Sequence, residues 1–307
     1  MAVIQTYWQA LVVSVTLFSF QGTVYAQLLA ILRDSMRARG EIAQGTVGSA
    51  IRMSLSIGYA AGPLLGTIAS ALAGYRWTFA LAAALWLVVL WVTVRLSLPT
   101  TSKNSRPTAK SRGLPTAAVV TFALAGMIAL SGDTIKVAYI PILVVNRLHQ
   151  TPIAIGLLFG LGTAAEIITM PLAGRLADRF GFQRVIVSAL LIGVADYALL
   201  AESSSLWQLY LVQLAHAGML GALHGIGSLY VQTLSHGSIG AATSLLVSAQ
   251  TLASPFGALV GSYGAGIVGV PAVFFVSSVL CGVAAIMTAA TGWGDGRPRV
   301  AGSRLHA

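Results

Sequence analysis

Gly174-Arg175-Leu176-Ala177-Asp178-Arg179-Phe180-Gly181-Phe182-Gln183-Arg184 is a charged turn set between two long apolar runs. Three Arg and one Asp fall within these eleven residues, in a 307-residue chain that is only 8% charged and 56% hydrophobic. A soluble domain carries about 25% charged residues. This chain has too little polar surface to face water, so lipid must be its solvent. In such a chain a basic turn marks the cytoplasmic side of a membrane. The net charge of +10 has the same origin, because Lys and Arg gather in short loops and the tail rather than in a patch suited to nucleic acid. No nucleic-acid partner is expected. The single cysteine, Cys281, lies in an apolar run, can form no internal disulfide and is expected to pack.

Working outward from the turn, the apolar runs are counted against the roughly 20 residues that a helix needs to cross a hydrocarbon core. About nine segments qualify: 8–31, 46–73, 77–97, 116–146, 153–174, 184–201, 206–234, 240–268 and 271–292. The runs are continuously apolar and lack the alternation of a membrane barrel. Their internal Gly and Pro are tolerated because neighbouring helices satisfy the freed backbone groups. The expected fold is all-α, a polytopic helix bundle. One set of loops receives Arg33, Arg37 and Arg39, then Arg95 to Arg112, the turn above, and the tail arginines 297, 299 and 304. The opposite side receives only Arg76 and Arg147. That asymmetry makes the first side cytoplasmic, with the N-terminus outside and the C-terminus inside a bacterial-type cytoplasmic membrane. Residues 99–115 are basic and rich in Ser, Thr and Pro, a linker. The expected organisation is a partial N-terminal bundle (1–98), this linker, a six-helix bundle (116–292) and a cytoplasmic tail (293–307).

An internal repeat refines the count. Ala60-Ala61-Gly62-Pro63-Leu64-Leu65-Gly66 in the second span is echoed by Leu252-Ala253-Ser254-Pro255-Phe256-Gly257 in the eighth. Spans one to three thus look like spans seven to nine, while spans four to six have no counterpart. Parallel halves of this kind occur in transporters. The arithmetic points to a 6+6 architecture without its first three helices.

The order of residues in the charged turn is similar to the helix-connecting signature of the major facilitator superfamily. Leu11 to Phe20, the Gly62-Pro63 helix, Gly162-Thr163-Ala164-Ala165-Glu166-Ile167 and Gly225-Ile226-Gly227-Ser228-Leu229-Tyr230-Val231-Gln232 resemble the sugar efflux transporter family within it. The resemblance covers nearly the whole chain, and it implies a twelve-helix architecture in which Met1 falls near the end of the third helix. It further implies that Gly174, Arg175, Asp178, Arg179 and Gly181 latch the cytoplasmic side closed in one state of the cycle. Gly58, Gly62 and Gly66, four apart and so on one helix face, let another backbone approach, and Pro63 adds a kink. The resemblance makes this an exporter signature; ordinary small-residue packing is the alternative.

Charges within spans single out further residues, since a charge at a helix centre costs about 2.5–3.5 kcal/mol on insertion scales. Asp133 and Lys136 are three apart, share a face and can neutralise each other. They are either an internal ion pair or cavity residues for substrate or proton. Glu166 lies mid-span, matches the family and is the leading residue for proton coupling or sugar hydrogen bonding. Asp196 falls on a helix that is peripheral in the family, and reads as a tolerated polar residue. Arg52 either snorkels or reaches the cavity. The seventh span carries Gln213, His216, His224, Tyr230 and Gln232. The resemblance makes this a cavity helix, offering the neutral donors, acceptors and aromatic faces that sugars need. His216 and His224, eight apart, are two turns from each other, too far to share a metal.

No P-loop, H-E-x-x-H or G-x-S-x-G pattern occurs, so neither an ATP-driven pump nor an enzyme is expected. No cofactor or metal is expected either. The expected function is export of sugars or related small molecules by proton antiport with alternating access. The expected partners are such a small-molecule substrate, protons and the lipid bilayer; the sequence leaves the oligomeric state open. The alternatives are a drug or other-solute exporter of the same superfamily, and an inactive, N-terminally truncated remnant that at most associates with partners.

Overall fold

The computed structural model describes residues 44–95, 116–235 and 239–291. Among these residues the secondary structure is helical throughout, with no strand. Helix α1 spans Gln44–Arg95, α2 Ala117–Ile142, α3 Pro152–Phe180, α4 Phe182–Glu202, α5 Leu206–Thr233, α6 Ile239–Val268 and α7 Val273–Ala290. Among the described residues, seven helical stretches are long and apolar enough to cross a membrane. The all-α membrane fold is therefore present, and six of the nine expected spans, from 116–146 onward, coincide with α2 to α7. Span 8–31, the linker 99–115 and the tail 293–307 lie outside the described residues. Spans 46–73 and 77–97 both fall in α1, where one membrane-length stretch, Leu65–Val92, is found. The break expected between them is at Gly74, which leaves helical geometry at φ 78, ψ 162, a conformation open to glycine.

Short polar segments set the helix ends. Thr116 accepts the Val119 N–H at 3.3 Å, as an N-cap residue does for the first turn of α2. Its hydroxyl donates to the Leu234 carbonyl just past α5 at 3.1 Å. Gly181, at φ 90, ends α3 in the left-handed conformation, and its N–H returns to the Ala177 carbonyl at 2.8 Å. Gln208 reaches back from the first turn of α5 to accept the Ser204 and Ser205 N–H groups at 2.8 and 3.2 Å. Pro141 lies in the last turn of α2, and a π-helical turn, Leu143–Arg147, follows.

The fold divides into two compact units. The first comprises the described residues within 1–112, 139–168 and 203–217; the second comprises those within 113–138, 169–202 and 218–307. In the first unit, Gln213 of α5 lies over the bare backbone of Gly162 on α3. A Cβ at Gly162 would meet the Gln213 Cδ at 2.8 Å and Cγ at 2.9 Å.

The second unit is built around the α2 segment 117–138. Its Ser131 hydroxyl donates to the Ala253 carbonyl of α6 at 3.1 Å, and Gly257 packs on the same turn. On another side, the Gly132 carbonyl accepts the Ser277 hydroxyl of α7 at 3.2 Å, and the Tyr197 ring of α4 lies against Gly132. Helices α4 and α7 run antiparallel along a polar zipper. Ser278 donates to the Val194 carbonyl at 2.8 Å, Cys281 to the Leu190 carbonyl at 3.2 Å, and Gln183 to the Thr288 and Ala289 carbonyls at 3.0 and 2.8 Å. Apolar side chains between two membrane helices gain nothing over lipid, so close backbone approach and such hydrogen bonds supply the association. Cys281 is buried and packs, as expected from its apolar run.

Gly257 tests this account. A Cβ there would lie 2.6 Å from the Ser131 carbonyl oxygen and 2.8 Å from the Thr134 Cβ, so the backbone itself would have to move. Gly257→Val should cost about 1–3 kcal/mol by overpacking. Thermal unfolding in detergent checks it, with Gly266→Val, where an added Cβ meets nothing within 4 Å, as the tolerated control.

Candidate functional site

Two groups of polar side chains stand out, one in each unit. In the first, Gly162 and Glu166 are one turn apart on the same face of α3. Gln213 lies over Gly162, and His216 and Ala217 follow it by three and four residues on α5. Membrane helices joined in sequence alternate in direction, so α3 and α5 run parallel. One turn along both helices, Glu166 is thereby level with His216 and Ala217. Gln213 and His216 are buried, and Glu166 is half-buried. This places a carboxyl, a primary amide and an imidazole within one helical turn on facing helices, held by a glycine that admits the amide. Such a set offers charged and neutral acceptors together with N–H donors, the complement of a hydroxyl-rich solute.

In the second unit, Lys136 and Asp133 are ion-paired on α2, with Nζ 3.4 Å from Oδ1. Their exposures differ: the Lys136 side chain is 3% accessible and that of Asp133 26%. The lysine is thus sealed in the bundle while its partner carboxylate keeps an open edge. The Tyr197 ring of α4 lies against Gly132, next to Asp133 in sequence, and Asp196, the residue before Tyr197, is 1% exposed. The sequence reading set Asp196 aside as a tolerated polar residue on a peripheral helix and did not single out Tyr197 or Ser277. The structure buries all three. The available signal was the pair Asp196-Tyr197 in the middle of an otherwise apolar run, where a charge is costly wherever the helix lies.

The remaining expected residues are dispersed. Tyr230 is buried, stacks edge-on against Phe122 with centroids 4.8 Å apart, and shares a 2.7 Å hydrogen bond with the Thr291 hydroxyl. These contacts anchor the end of α5 to α2 and to the residue after α7. Removing the hydroxyl by Tyr230→Phe should cost about 1 kcal/mol of stability; thermal unfolding in detergent checks this. His224 is exposed on α5, and Gln232 is half-buried. Gly221 and Gly225 pack against Thr169 and Met170 of α3, which accounts for the glycines between the polar residues of α5.

The opening stretch is more helical than its composition implied. Helix α3 continues through Gly174, Arg175, Asp178 and Arg179 to Phe180, and Gly181 alone breaks the helix. Asp178 therefore occupies the last turn of α3 rather than a loop before α4. Among the described residues it forms no ion pair with Arg175, Arg179 or Arg184, all of which are exposed. The Arg179 guanidinium instead lies 5.2 Å from the centroid of the Phe180 ring. Gln183, which capped no expected feature, is the residue of this stretch that grips the last carbonyls of α7.

On α1, an added Cβ at Gly58, Gly62 or Gly66 would meet nothing within 4 Å. The helix approach expected at this glycine face is thus not seen among the described residues. Pro63 lies within α1, as does Arg52, but their side chains lie outside the described residues. Among the described residues no three His, Cys, Asp or Glu side chains come together to hold a metal ion.

The chain as a whole is similar to known proteins. Sugar efflux transporter A of Dickeya chrysanthemi is 29% identical over 250 residues, covering 80% of this chain and 62% of its own length. Sugar efflux transporter A of Escherichia coli K12 is 28% identical over 280 residues, covering 90% of this chain and 71% of its own. The chain thus spans about 62–71% of the length of these two relatives. The class C tetracycline resistance protein of Escherichia coli is 29% identical over a shorter stretch of 134 residues, 43% of this chain and 31% of its own. The profile of the Major Facilitator Superfamily matches residues 121–305, which takes in most of α2, all of α3 to α7, both polar groups and the charged stretch at Gly181. Membrane-length helices throughout the described residues and this match over more than half of the sequence make the chain a member of the Major Facilitator Superfamily.

Proposed function

We propose that this chain is a secondary exporter of sugars or related hydroxyl-rich molecules in a bacterial cytoplasmic membrane, driven by inward proton flow with alternating access. The observation that carries the reading is the Glu166–Gln213–His216 group, three side chains able to hydrogen-bond a polyol on facing helices. The printed names of the sugar efflux relatives support the same substrate class. In this reading Glu166 takes the coupling proton and Gln213 holds solute hydroxyls, while Asp133, Lys136, His224, Gln232, Tyr230 and Arg52 are the further residues of the transport path. Gly174, Arg175, Asp178, Arg179 and Gly181, and the glycine face of Gly58, Gly62 and Gly66 with Pro63, are conformational elements. The basic ends at Arg175, Arg179 and Arg184 face the cytoplasm, with the C-terminus on that side. Residues 1–98 and 116–292 act as two bundles joined by the basic linker.

Ligand binding to the folded state raises its stability by RT ln(1 + [L]/Kd), about 2.7 kcal/mol at a hundred-fold excess over Kd. A panel of mono- and disaccharides should therefore raise the unfolding temperature of the purified chain, with the shift lost in Gln213→Leu. The tetracycline resistance relative favours a second reading, export of a drug-like solute. A shift with tetracycline and none with any sugar would select it.

A further inference from the structure

Four helix ends meet at one end of the second unit: the starts of α2 and α4 and the ends of α5 and α7. An α-helix leaves its last four carbonyls without partners of its own. In α7 a neighbouring helix supplies two of them. The Gln183 amide, in the first turn of α4, donates to the Thr288 and Ala289 carbonyls at 3.0 and 2.8 Å. The Thr288 carbonyl also accepts the Thr291 hydroxyl at 2.7 Å. A hydroxyl has a single proton to give, so in the 2.7 Å pair between Tyr230 and Thr291 the tyrosine is the donor. The direction of the line is thereby fixed. Tyr230 of α5 donates to Thr291, Thr291 donates to Thr288 of α7, and Gln183 of α4 donates to the same carbonyl. The line continues to α2. Tyr230 meets the Phe122 ring edge-on at 4.8 Å, and its carbonyl accepts the Thr233 hydroxyl at 2.7 Å and the Leu234 N–H at 3.2 Å. The Leu234 carbonyl in turn accepts the Thr116 hydroxyl at 3.1 Å.

Each member of this line holds the next in place. The Thr288 carbonyl is the shared point, where side-chain donors from α4 and from the residue after α7 converge. If the end of α7 moves away from Gln183, Thr291 moves with it and the Tyr230 hydroxyl loses its acceptor. Release of the α5 end then carries the Leu234 carbonyl away from Thr116. Linked hydrogen bonds in a low-dielectric interior polarise and strengthen one another, so a half-broken line is less stable than its separate bonds imply. We propose that these four helix ends form one latch, either wholly bonded or wholly open. A packed element with two discrete arrangements is what a conformational change requires. Bonds further along the same helices stand apart from it. Ser278 of α7 donates to the Val194 carbonyl of α4 at 2.8 Å, about three turns from Gln183.

Hydrogen exchange of the full chain in lipid membranes, read by mass spectrometry without any transported solute, tests this. Gln183→Leu removes two hydrogen bonds between α4 and α7. It should also speed exchange at the end of α5, residues 230–234, by about five-fold, the effect of one lost hydrogen bond on a local opening. Thr291→Val serves where Gln183→Leu fails to fold. It removes the hydroxyl between α5 and α7 and should speed exchange in the first bonded turn of α4, residues 185–188, by about the same factor. Ser278→Ala breaks a bond between α4 and α7 outside the latch and should leave the end of α5 unchanged. Faster exchange confined to α4 and α7 in Gln183→Leu, or to α5 and α7 in Thr291→Val, overturns the proposal. So does an equal response of the α5 end to Ser278→Ala, which would mark a general loosening of the unit.

Discussion

Lys136→Met is expected to be the most damaging single substitution in the second unit, lowering stability by about 3–5 kcal/mol, the usual cost of removing one partner of a buried ion pair. The side chain is 3% accessible and sits on the central helix of its unit, 3.4 Å from Asp133. Methionine preserves the length of the stem and so isolates the charge. What it leaves behind is the Asp133 carboxylate without its lysine. The pair itself contributes little net stability, because desolvation of both ions offsets their attraction. The loss therefore comes from the stranded acid, and that is testable. Adding Asp133→Asn to Lys136→Met removes that carboxylate as well and should recover most of the lost stability. Thermal unfolding of the three variants in one detergent decides the matter. If the double variant is no more stable than Lys136→Met alone, the lysine is needed for packing and the charge account fails.

The second large effect is expected at Glu166. Glu166→Gln keeps the volume and hydrogen-bonding reach of the side chain beside Gln213 and His216, yet removes the group able to carry a proton. Uphill export should fall to the level of an empty membrane, while exchange of labelled for unlabelled solute down its gradient persists. That separation distinguishes a coupling residue from one that only holds solute: loss of Gln213, by Gln213→Leu, should weaken exchange and uphill export alike. Uphill export unchanged in Glu166→Gln would remove Glu166 from the mechanism.

The sequence carried the fold far because membrane spans follow from a one-dimensional property. An apolar run of sufficient length has few alternatives to a helix in lipid, and the boundaries of α4, α5 and α6 follow the runs within about two residues. Where the reading differed, local helix chemistry prevailed over charge density. The basic stretch from Gly174 to Phe180 stays helical because nothing before Gly181 breaks it, so Asp178 belongs to α3. The Asp133–Lys136 pair was legible from its three-residue spacing, as pairing within one helix is set by that helix alone. The placement of Asp196 was not, because which side of α4 is buried depends on α2 and α7, and no pattern within α4 names them. Gln213 over Gly162 and Gln183 on the end of α7 were hidden for the same reason. Each needs a neighbour brought close by tertiary packing. Tyr230 is a further case. A polar aromatic was legible on α5, but its hydrogen bond to Thr291 needed the end of α7 brought close.

Efflux of radiolabelled sugars from cells expressing the 307-residue chain, with and without a proton uncoupler and against an empty-vector control, tests the central claim most directly. The account predicts export above the control that collapses when the uncoupler is added. Confirmed membrane insertion with sugar efflux equal to the control, or efflux indifferent to the uncoupler, would contradict it.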